Sequence, residues 1–354
     1  MIQPNKSRDQ KIAGFNPDGV GNVNNNIFGL PFTPAESTVV IIPVPWDVTV
    51  SNAEGTSQGP ANILEQSPQI DLYDERVKEP WKAGIAMDTI VPELQMKNEQ
   101  LRKKATEYIQ MLESNPSAKQ QHHYRQILEE VNRECSQLCS DVRTRSLELL
   151  QQQKLPVIIG GDHSTPLGLI QALAEKNETF GILQIDAHAD LRNAYMGFEH
   201  SHASIMFNAS QLKAVSRVVQ VGLRDISAGE AAIIHADPEK FHAFFARNLS
   251  RQLYTGTSWA KICSQIIDAL PQKVYLSFDI DGLDPSQCTS TGTPVPGGLN
   301  YNQVLFLFEE LVNSGRTIIG FDLAETGPAP NDGITACRIL YKTIALMLQS
   351  NGWK

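Results

Sequence analysis

The alternation of short apolar runs with helical stretches constrains the fold most. Strands that are apolar along their whole length are buried on both faces, and strands that alternate with helices pair in parallel. The sequence therefore predicts one α/β unit, a parallel sheet with helices on both faces. The runs with strand character are STVVIIPVPWD, LPVIIGG, FGILQID, VVQVGLRD, KVYLSFDID and TIIGFDLAE.

Two segments depart from this alternation. Residues 1–35 are rich in Asn, Gly and Pro, which predicts an extended arm or loop that covers a site or a neighbouring subunit. Residues 94–153 are charged, Gln-rich and helical in pattern, and we expect them to pack within the domain. We predict residues 36–354 to be a single catalytic domain.

Within the 94–153 segment, apolar residues recur at spacings of three, four and seven, which predicts one buried stripe on an amphipathic helix. These residues are Ile127, Val131, Cys135, Leu138, Val142 and Leu149.

Composition excludes several classes of protein. The 354 residues are 41% hydrophobic and 19% charged, as in an ordinary globular protein, and the net charge of -9 disfavours a nucleic-acid partner. We see no secretory signal and no apolar run long enough to cross a membrane, so we expect a cytoplasmic protein. The five cysteines have no paired framework, which fits a reducing compartment. For Cys135 and Cys139, a buried helix face is favoured over a zinc site.

Each cluster of ligand-type side chains follows directly after an apolar strand. Open α/β sheets place their sites at the carboxyl ends of the strands. Alternate residues of an extended segment point the same way, so the ligands within each cluster should converge. The clusters are Asp162 and His163; Asp186, His188 and Asp190; Asp279 and Asp281, with Asp284 further on; and Asp322 and Glu325.

The number of carboxylates predicts a two-metal centre. Four buried carboxylates would be costly without cations, and their charge matches two divalent ions. Oxygen and imidazole ligands without thiolate favour Mn²⁺ as the first choice and Ni²⁺ as the second. A single Asp-x-Asp pair is usually a cap or a turn, but several such segments at strand ends favour metal binding.

The sequence resembles the ureohydrolases, the family of arginases and agmatinases, and most closely its agmatinase-like members. The ordered motifs GGDHS, DAHAD, SFDIDGLDPS with GTPVPGGL, and GFDLAE carry the resemblance, which runs from about residue 38 to the end. PVPWDVTVSNAEGTSQGPANILEQS is also similar to the family's first strand, loop and helix. The resemblance implies a three-layer α-β-α fold with an open, doubly wound, mostly parallel sheet. It also implies a hydrolase that cuts a guanidino C–N bond with water and releases urea.

The same resemblance implies roles for single residues. Glu325 would hold the substrate guanidinium, which suits a planar cation that pairs well with a carboxylate. His202 would shuttle a proton to the leaving amine, with His200 as the weaker alternative, and Asp190 would act in catalysis as well as in metal binding. For Glu325 the structural alternative is a salt bridge near the sheet end, and for His202 it is a surface loop. The implied metal ligands are His163, Asp186, His188, Asp190, Asp279 and Asp281.

Departures from the family pattern bear on the substrate. Arg192 stands where arginases commonly carry an Asn that binds the amino-acid end of arginine, which favours an agmatinase-like substrate. LAETGPAP and Trp46 in PVPWD also differ from the family, and a Trp near the mouth could reshape the pocket. Small guanidines, including free guanidine, therefore stay open beside arginine itself.

Two readings from other classes remain. One is a guanidino- or metal-binding protein without turnover, which should lack a ligand or the shuttle, and all six ligand positions are present. The other is a metallophosphoesterase, which would predict an Asn-His ligand pair, and the sequence contains none. The remaining histidines, His122, His123, His235 and His242, are expected to be solvated or structural. The family resemblance also implies a homotrimer or homohexamer.

Overall fold

The computed structural model describes residues 6–353, and eight strands form one sheet in which every pairing is parallel. In chain order the strands are β1 Val39–Val44, β2 Ile85–Met87, β3 Leu155–Gly160, β4 Phe180–Ile185, β5 Val215–Leu223, β6 Phe241–Phe245, β7 Lys273–Asp279 and β8 Thr317–Ala324. Side by side they lie in the order β2-β1-β3-β8-β7-β4-β5-β6. This is the predicted open, doubly wound sheet.

Helices cover both faces of the sheet. One layer includes α2, α9, α10 and α11, and the other includes α3, α4, α5 and α6, as the two hydrophobic clusters show. The helices are α1 Lys6–Gly14, α2 Gly59–Gln66, α3 Pro92–Ser114, α4 His122–Gln151, α5 Leu167–Lys176, α6 Ile205–Ser210, α7 Ala228–Ala236, α8 Ala246–Tyr254, α9 Trp259–Asp268, α10 Tyr301–Asn313 and α11 Pro330–Ser350.

The apolar strands explain the three layers. On β1, Val39 and Ile41 belong to one hydrophobic cluster, whereas Val40 and Ile42 belong to the other. Because successive side chains of a strand point to opposite faces, an uninterrupted apolar run needs cover on both sides. The predicted three-layer architecture is confirmed.

The sheet order brings the predicted ligand clusters together. The four strands that precede these clusters, β3, β8, β7 and β4, are neighbours at the centre of the sheet. The strands are parallel, so their carboxyl ends lie at the same edge. The short strand β2 and the strand β6 were not predicted, and both lie at the outer edges of the sheet.

The two segments outside the alternation are ordered parts of the fold. In the predicted arm, Lys6–Gly14 form α1 instead of a loop. Residues 15–35 are mostly turns and loop, but Ile27, Phe28 and Leu30 are buried in the core, so this part does not extend away from the domain. Residues 1–5 of that arm lie outside the described residues. The division into an arm and one catalytic domain stays a prediction.

The 94–153 segment forms two helices, α3 and α4, and the predicted apolar stripe on α4 is buried along its length. Cys135 and Cys139 belong to that buried face. Among the described residues, no helix combines the length and the apolar character needed to cross a membrane.

The contact between α4 and α5 generates a stability prediction. A Cβ at Gly168 on α5 would lie 2.4 Å from the Cys139 carbonyl oxygen and 2.7 Å from the Arg143 backbone nitrogen, and neither backbone atom can move freely. We expect Gly168→Ala to lower the free energy of unfolding by about 1–3 kcal/mol, because overpacking outweighs the helix propensity of alanine. Urea unfolding followed by circular dichroism measures the change.

Gly229 on α7 is the matched control, since it is also a helical glycine. A Cβ there would meet only the Ser227 hydroxyl oxygen, at 3.9 Å. Gly229→Ala should raise the free energy of unfolding by about 0.5–1 kcal/mol. Equal effects at the two positions would contradict this account of the α4–α5 contact.

Candidate metal centre

One group of potential ligands forms around His163, which follows β3. Its Nδ1 lies 3.0 Å from Asp186 Oδ2, 3.0 Å from Asp190 Oδ2 and 3.4 Å from Asp279 Oδ2. His163, Asp186 and Asp279 offer ligand atoms that all lie within 4.8 Å of one another, which is close enough to hold one metal ion. The carboxyl ends of β3, β4 and β7 thus supply one site.

A second group shares one residue with the first. His188 Nδ1 lies 3.1 Å from Asp281 Oδ2 and 3.6 Å from Asp186 Oδ1. Asp186, His188 and Asp281 also offer ligand atoms within 4.8 Å of one another. Asp186 presents one oxygen to each group, so this carboxylate would serve as a ligand in both.

The unpaired atoms and the charges at this centre fit a metal pair. His163 Nδ1 is buried and has no hydrogen-bond partner, although three carboxylates surround it. A buried imidazole nitrogen that faces three carboxylates and makes no hydrogen bond is well placed to bind a metal ion together with them. The donor set is oxygen and nitrogen only, which suits hard or borderline divalent cations.

The electrostatics show the cost of the centre without cations. Burial, and then the charge on Asp186, raise the pKa of Asp190 to about 7. Burial and the neighbouring Asp281 charge raise the pKa of Asp279 well above its usual range. Burial lowers the pKa of His188, but the Asp186 and Asp281 carboxylates outweigh it and raise that pKa to about 11. Protons therefore neutralise part of the charge that divalent ions would compensate.

A second set of polar contacts supports the ligands, and the sequence reasoning did not identify most of it. His163 Nε2 lies 2.8 Å from the Ser277 hydroxyl and 3.7 Å from Asp322 Oδ1, so the ring is held from the side opposite the ligands. Thr293 donates to Asp281 Oδ2 at 3.2 Å. Ser277 is a polar residue within an apolar strand two positions before a ligand, and that signal was available in the sequence.

Glu325 lies at the edge of the same cavity. Its Oε1 accepts a hydrogen bond from the His163 backbone N–H at 3.0 Å, whereas Oε2 is buried and has no partner. Burial, followed by the Asp162 charge, raises the pKa of Glu325 well above its usual range. A Cβ at Gly292 would lie 3.2 Å from Oε2, so this glycine leaves room beside the free oxygen.

His202 lines the cavity on another side, and two loops hold it. Its backbone N–H donates to the Thr49 hydroxyl at 3.3 Å, and its Nε2 lies 3.5 Å from the Ser51 hydroxyl. Tyr195 meets the imidazole edge to face at 6.2 Å between ring centroids. Burial, and then the His188 and Arg102 charges, lower the pKa of His202 to about 3. The ring is therefore neutral at neutral pH.

Helix α3 fixes the loop that carries Thr49 and Ser51. Arg102 donates to the carbonyl oxygens of Val48 at 3.1 Å and Val50 at 2.6 Å. At the start of the same loop, the Asn98 side chain accepts a hydrogen bond from the Asp47 backbone N–H and donates one to the Asp47 carboxylate, both at 2.8 Å. Asp47 in turn accepts from the backbone N–H groups of Gly55 and Ser57.

Helix α4 fixes the loop that carries Tyr195. Asn132 donates to the Gly197 carbonyl at 2.9 Å and accepts from the Glu199 backbone N–H at 3.0 Å. This loop is strained, because Ala194 and Met196 both have positive φ, at 48° and 56°. The helical segment 92–151 is therefore the support for both loops beside His202.

Several predicted residues lie elsewhere. His200 does not line the cavity, and Asp284 accepts hydrogen bonds from the backbone and hydroxyl of Ser286 instead. Trp46 is buried in the hydrophobic cluster with α3 and α4, so the expectation that it shapes the mouth is wrong. The described cavity includes none of the histidines expected to be solvated or structural: His122, His123, His235 and His242.

Known sequences match almost the whole chain. The family profile described as the Arginase family matches residues 37–346. An N(1)-aminopropylagmatine ureohydrolase of Thermus thermophilus is 30% identical over 331 residues, which cover 92% of this chain and 96% of that relative.

Solved structures show the same fold. The agmatine ureohydrolase of Thermoplasma volcanium superposes with a TM-score of 0.68 at 22% identity and covers 97% of this chain and 99% of its own. The proclavaminate amidino hydrolase of Streptomyces clavuligerus superposes with a TM-score of 0.69 at 21% identity, covering 92% and 97%.

The shared carboxylate generates a prediction about metal content. We expect Asp186→Asn to weaken the binding of both ions, because this carboxylate belongs to both ligand groups, whereas Asp281→Asn should weaken only one. Metal-free protein is loaded with Mn²⁺, dialysed and measured by elemental analysis. The prediction fails if Asp186→Asn retains two ions, and Asp284→Asn, at an acidic residue outside the cavity, is the matched control.

The neutral state of His202 generates a prediction about pH. Its pKa of about 3 lies below the usual value of about 6.5 for histidine, so the folded state binds fewer protons than the unfolded state between these values. Stability contributed by neutral His202 is therefore lost as the pH falls below about 6.5. Metal-free wild type should lose more stability than His202→Gln between about pH 7.5 and about pH 5.

Urea unfolding midpoints at the two pH values measure this difference, and metal-free protein removes the competition between protons and metal ions. Equal losses for wild type and His202→Gln would show that this imidazole is not held neutral by the fold. His235→Gln, at an exposed histidine, provides the control for removing a histidine as such.

Proposed function

The chain belongs to the arginase family of ureohydrolases, and from this premise we propose that it cuts the guanidino C–N bond of an agmatine-like or smaller guanidine with water, releasing urea. One observation carries the proposal. The Glu325 carboxylate, with Oε2 unpartnered, lies in the same cavity as ligands from both metal groups. A planar guanidinium would supply the charge and the hydrogen-bond donors that this oxygen lacks.

In the proposed reaction Glu325 binds and orients the substrate. Its Oε1 is already held by the His163 backbone N–H, so Oε2 is the oxygen that would receive the guanidinium. Fixing a resonance-stabilised cation in one orientation is needed because it is a poor electrophile. Binding would also return Glu325 to its ionised state, since the guanidinium offsets the burial that raises its pKa.

The proposed metals are two divalent ions, Mn²⁺ first and Ni²⁺ second, held by the six ligands named from the sequence. When bound, such a pair supplies a nucleophilic water near neutral pH and positive charge that stabilises the tetrahedral intermediate. Asp190 Oδ2, at 3.0 Å from His163 Nδ1, would join the first group of ligands.

His202 moves the proton in this scheme. The neutral imidazole accepts the proton released as water adds to the guanidinium carbon, and it delivers that proton to the nitrogen that leaves. The C–N bond then breaks, and the hydroxyl group added from water gives its remaining proton to the leaving amine as urea forms. The products are urea and a protonated amine, or an ammonium ion when the substrate is free guanidine. Ser51, beside Nε2, would hold the ring in orientation.

The cavity mouth bears on the length of the substrate. Arg192 lies over the Tyr195 ring, at 4.6 Å from the centroid, and its Nε is 3.6 Å from Glu230 Oε2. The Glu230 carboxylate is buried and already accepts hydrogen bonds from Leu191 and Ser227. The exposed Asp225 would attract an amine tail, as in agmatine, whereas the Arg192 cation would repel one. Agmatine-like compounds are the first candidates, and the position of Arg192 favours free guanidine as the second.

Two further parts of the proposal concern the assembly and the cell. The family resemblance supports a homotrimer or homohexamer, which light scattering of the purified chain would test. The five unpaired cysteines support a reducing, cytoplasmic location.

The test is urea release by protein loaded separately with Mn²⁺ and with Ni²⁺. The substrates are agmatine, N(1)-aminopropylagmatine, arginine, guanidinobutyrate and free guanidine. We expect metal-dependent urea from one of them, and we expect Glu325→Gln to lower kcat/KM by roughly 100-fold or more, since it removes the charged partner of a buried cation.

Glu239→Gln is the matched control, because Glu239 is exposed and does not line the cavity. It should retain wild-type kcat/KM. If no substrate yields urea while two ions are bound, a ureohydrolase acting on these guanidines is excluded. Binding of a guanidine, measured by calorimetry, would then support the hypothesis of a guanidino-binding protein that does not catalyse hydrolysis.

A further inference from the structure

Two glutamines lie buried in the middle of the sheet beneath the shared carboxylate. Gln184 on β4 and Gln220 on β5 are both completely buried. Their strands are otherwise apolar at the centre, and burying an amide costs free energy unless it is hydrogen-bonded. Neither residue belongs to the ligand set or touches the cavity.

Their amides form a chain that ends on Asp186. Gln220 Nε2 donates to Gln184 Oε1 at 2.6 Å, and Gln184 Nε2 donates to Asp186 Oδ2 at 2.6 Å. Asp186 Oδ2 is the same oxygen that lies 3.0 Å from His163 Nδ1. The chain therefore reaches the oxygen that faces the first metal group.

Backbone carbonyls fix the direction of this chain. Gln220 Nε2 also donates to the Ala189 carbonyl at 2.7 Å, and Gln184 Nε2 donates more weakly to the His188 carbonyl at 3.4 Å. Turning either amide over would place a carbonyl oxygen against another acceptor. Both side chains must therefore present N–H groups towards the turn after β4, and the second acceptor is Gln184 for Gln220 and Asp186 for Gln184.

The same contacts hold the turn that carries two other ligands. His188 and Ala189 belong to the DAHAD turn between β4 and the loop that follows, and Asp190 at its end has a positive φ of 53°. Asp186 Oδ1 accepts the His188 backbone N–H at 2.6 Å, so both carboxylate oxygens are fixed by the protein. Such outer hydrogen bonds orient ligands and tune metal affinity.

We propose that Gln184 and Gln220 are positioning residues that hold the Asp186 carboxylate with one oxygen towards each ligand group, with Gln220 acting through Gln184. The inference rests on the proposed metal centre and concerns residues outside it. The cost of the arrangement is visible in Gln220 Oε1, which is buried without a partner in the described residues. An apolar side chain at position 220 would avoid that cost, but Gln184 Oε1 would then lose its donor. An apolar side chain at position 184 would remove the hydrogen bond to Asp186 Oδ2 itself.

The test measures metal binding directly. Metal-free wild type, Gln184→Met, Gln220→Met and the double variant are titrated with Mn²⁺ by calorimetry, and melting temperatures are recorded without metal. We expect Gln184→Met to weaken both binding steps roughly 10- to 100-fold. Gln220→Met should weaken them less, and the double variant should match Gln184→Met because both changes break one chain.

Thr343→Val on α11 is the matched control, since its buried hydroxyl also has no partner among the described residues. It should leave both binding steps unchanged. A purely structural role would shift the melting temperature of Gln184→Met and leave its Mn²⁺ affinity at the wild-type value, and that result would overturn the inference. Additive effects in the double variant would overturn the claim that Gln220 acts through Gln184.

Gln220→Met keeps the hydrogen bond from Gln184 to Asp186, so we expect this variant to fold. It therefore tests the inference if Gln184→Met does not fold. Wild-type Mn²⁺ affinity in folded Gln220→Met would then count against the chain. Failure of wild type itself to bind Mn²⁺ or Ni²⁺ would overturn the proposed metal centre, and the inference with it, whereas wild-type binding with unaffected variants overturns the inference alone.

Discussion

The concentration of buried carboxylates at one edge of the sheet is the constraint on which the rest of this structure depends. Asp186, Asp190, Asp279 and Asp281 are all buried, and ordinary protein groups cannot neutralise that much charge in so small a volume. Two imidazoles and shifted protonation states provide part of the compensation. Such a centre is stable only within a scaffold that holds the ligands close together whether or not cations are bound.

The scaffold does so with rigid strands and strained turns. Asp190 and Glu325 both have positive φ, at 53° and 59°, which non-glycine residues rarely adopt. Strain of this kind persists where the surroundings dictate the conformation, and it concentrates at functional sites. Here the strained residues follow β4 and β8, so each places a carboxylate above the sheet edge instead of continuing the strand.

Much of this centre could be predicted from the sequence because its parts are short and local. Apolar runs followed by His, Asp and Glu predicted the family, the parallel sheet and the four ligand clusters. The family and the parallel sheet are confirmed. The roles of the individual site residues stay predictions. Strand β2 is apolar but only three residues long, which is too short to stand out in the sequence. Strand β6 contains a histidine and partly exposed aromatic residues, so it lacks the uniform apolar run of the other strands.

The residues around the ligands were harder to predict for a different reason. Ser277, Gln184 and Gln220 act through partners that are distant in sequence, and only the pairing of the strands brings those partners together. Trp46 was misplaced because its position before a loop says nothing about which layer its ring enters. In the first 35 residues, Asn and Gly mark turns correctly, but the turns return apolar residues such as Phe28 to the core.

The α3–α4 hairpin holds two cavity loops through backbone contacts, and this has a consequence for how specificity can change. Arg102 and Asn132 form hydrogen bonds to backbone groups of the loops. The side chains at the tips of the loops can therefore vary while these hydrogen bonds are kept. The hairpin and the two loops form one exchangeable module. Transplanting either loop alone into a relative would leave it without its anchor, and a designer of new guanidine hydrolases would need to move all three pieces together.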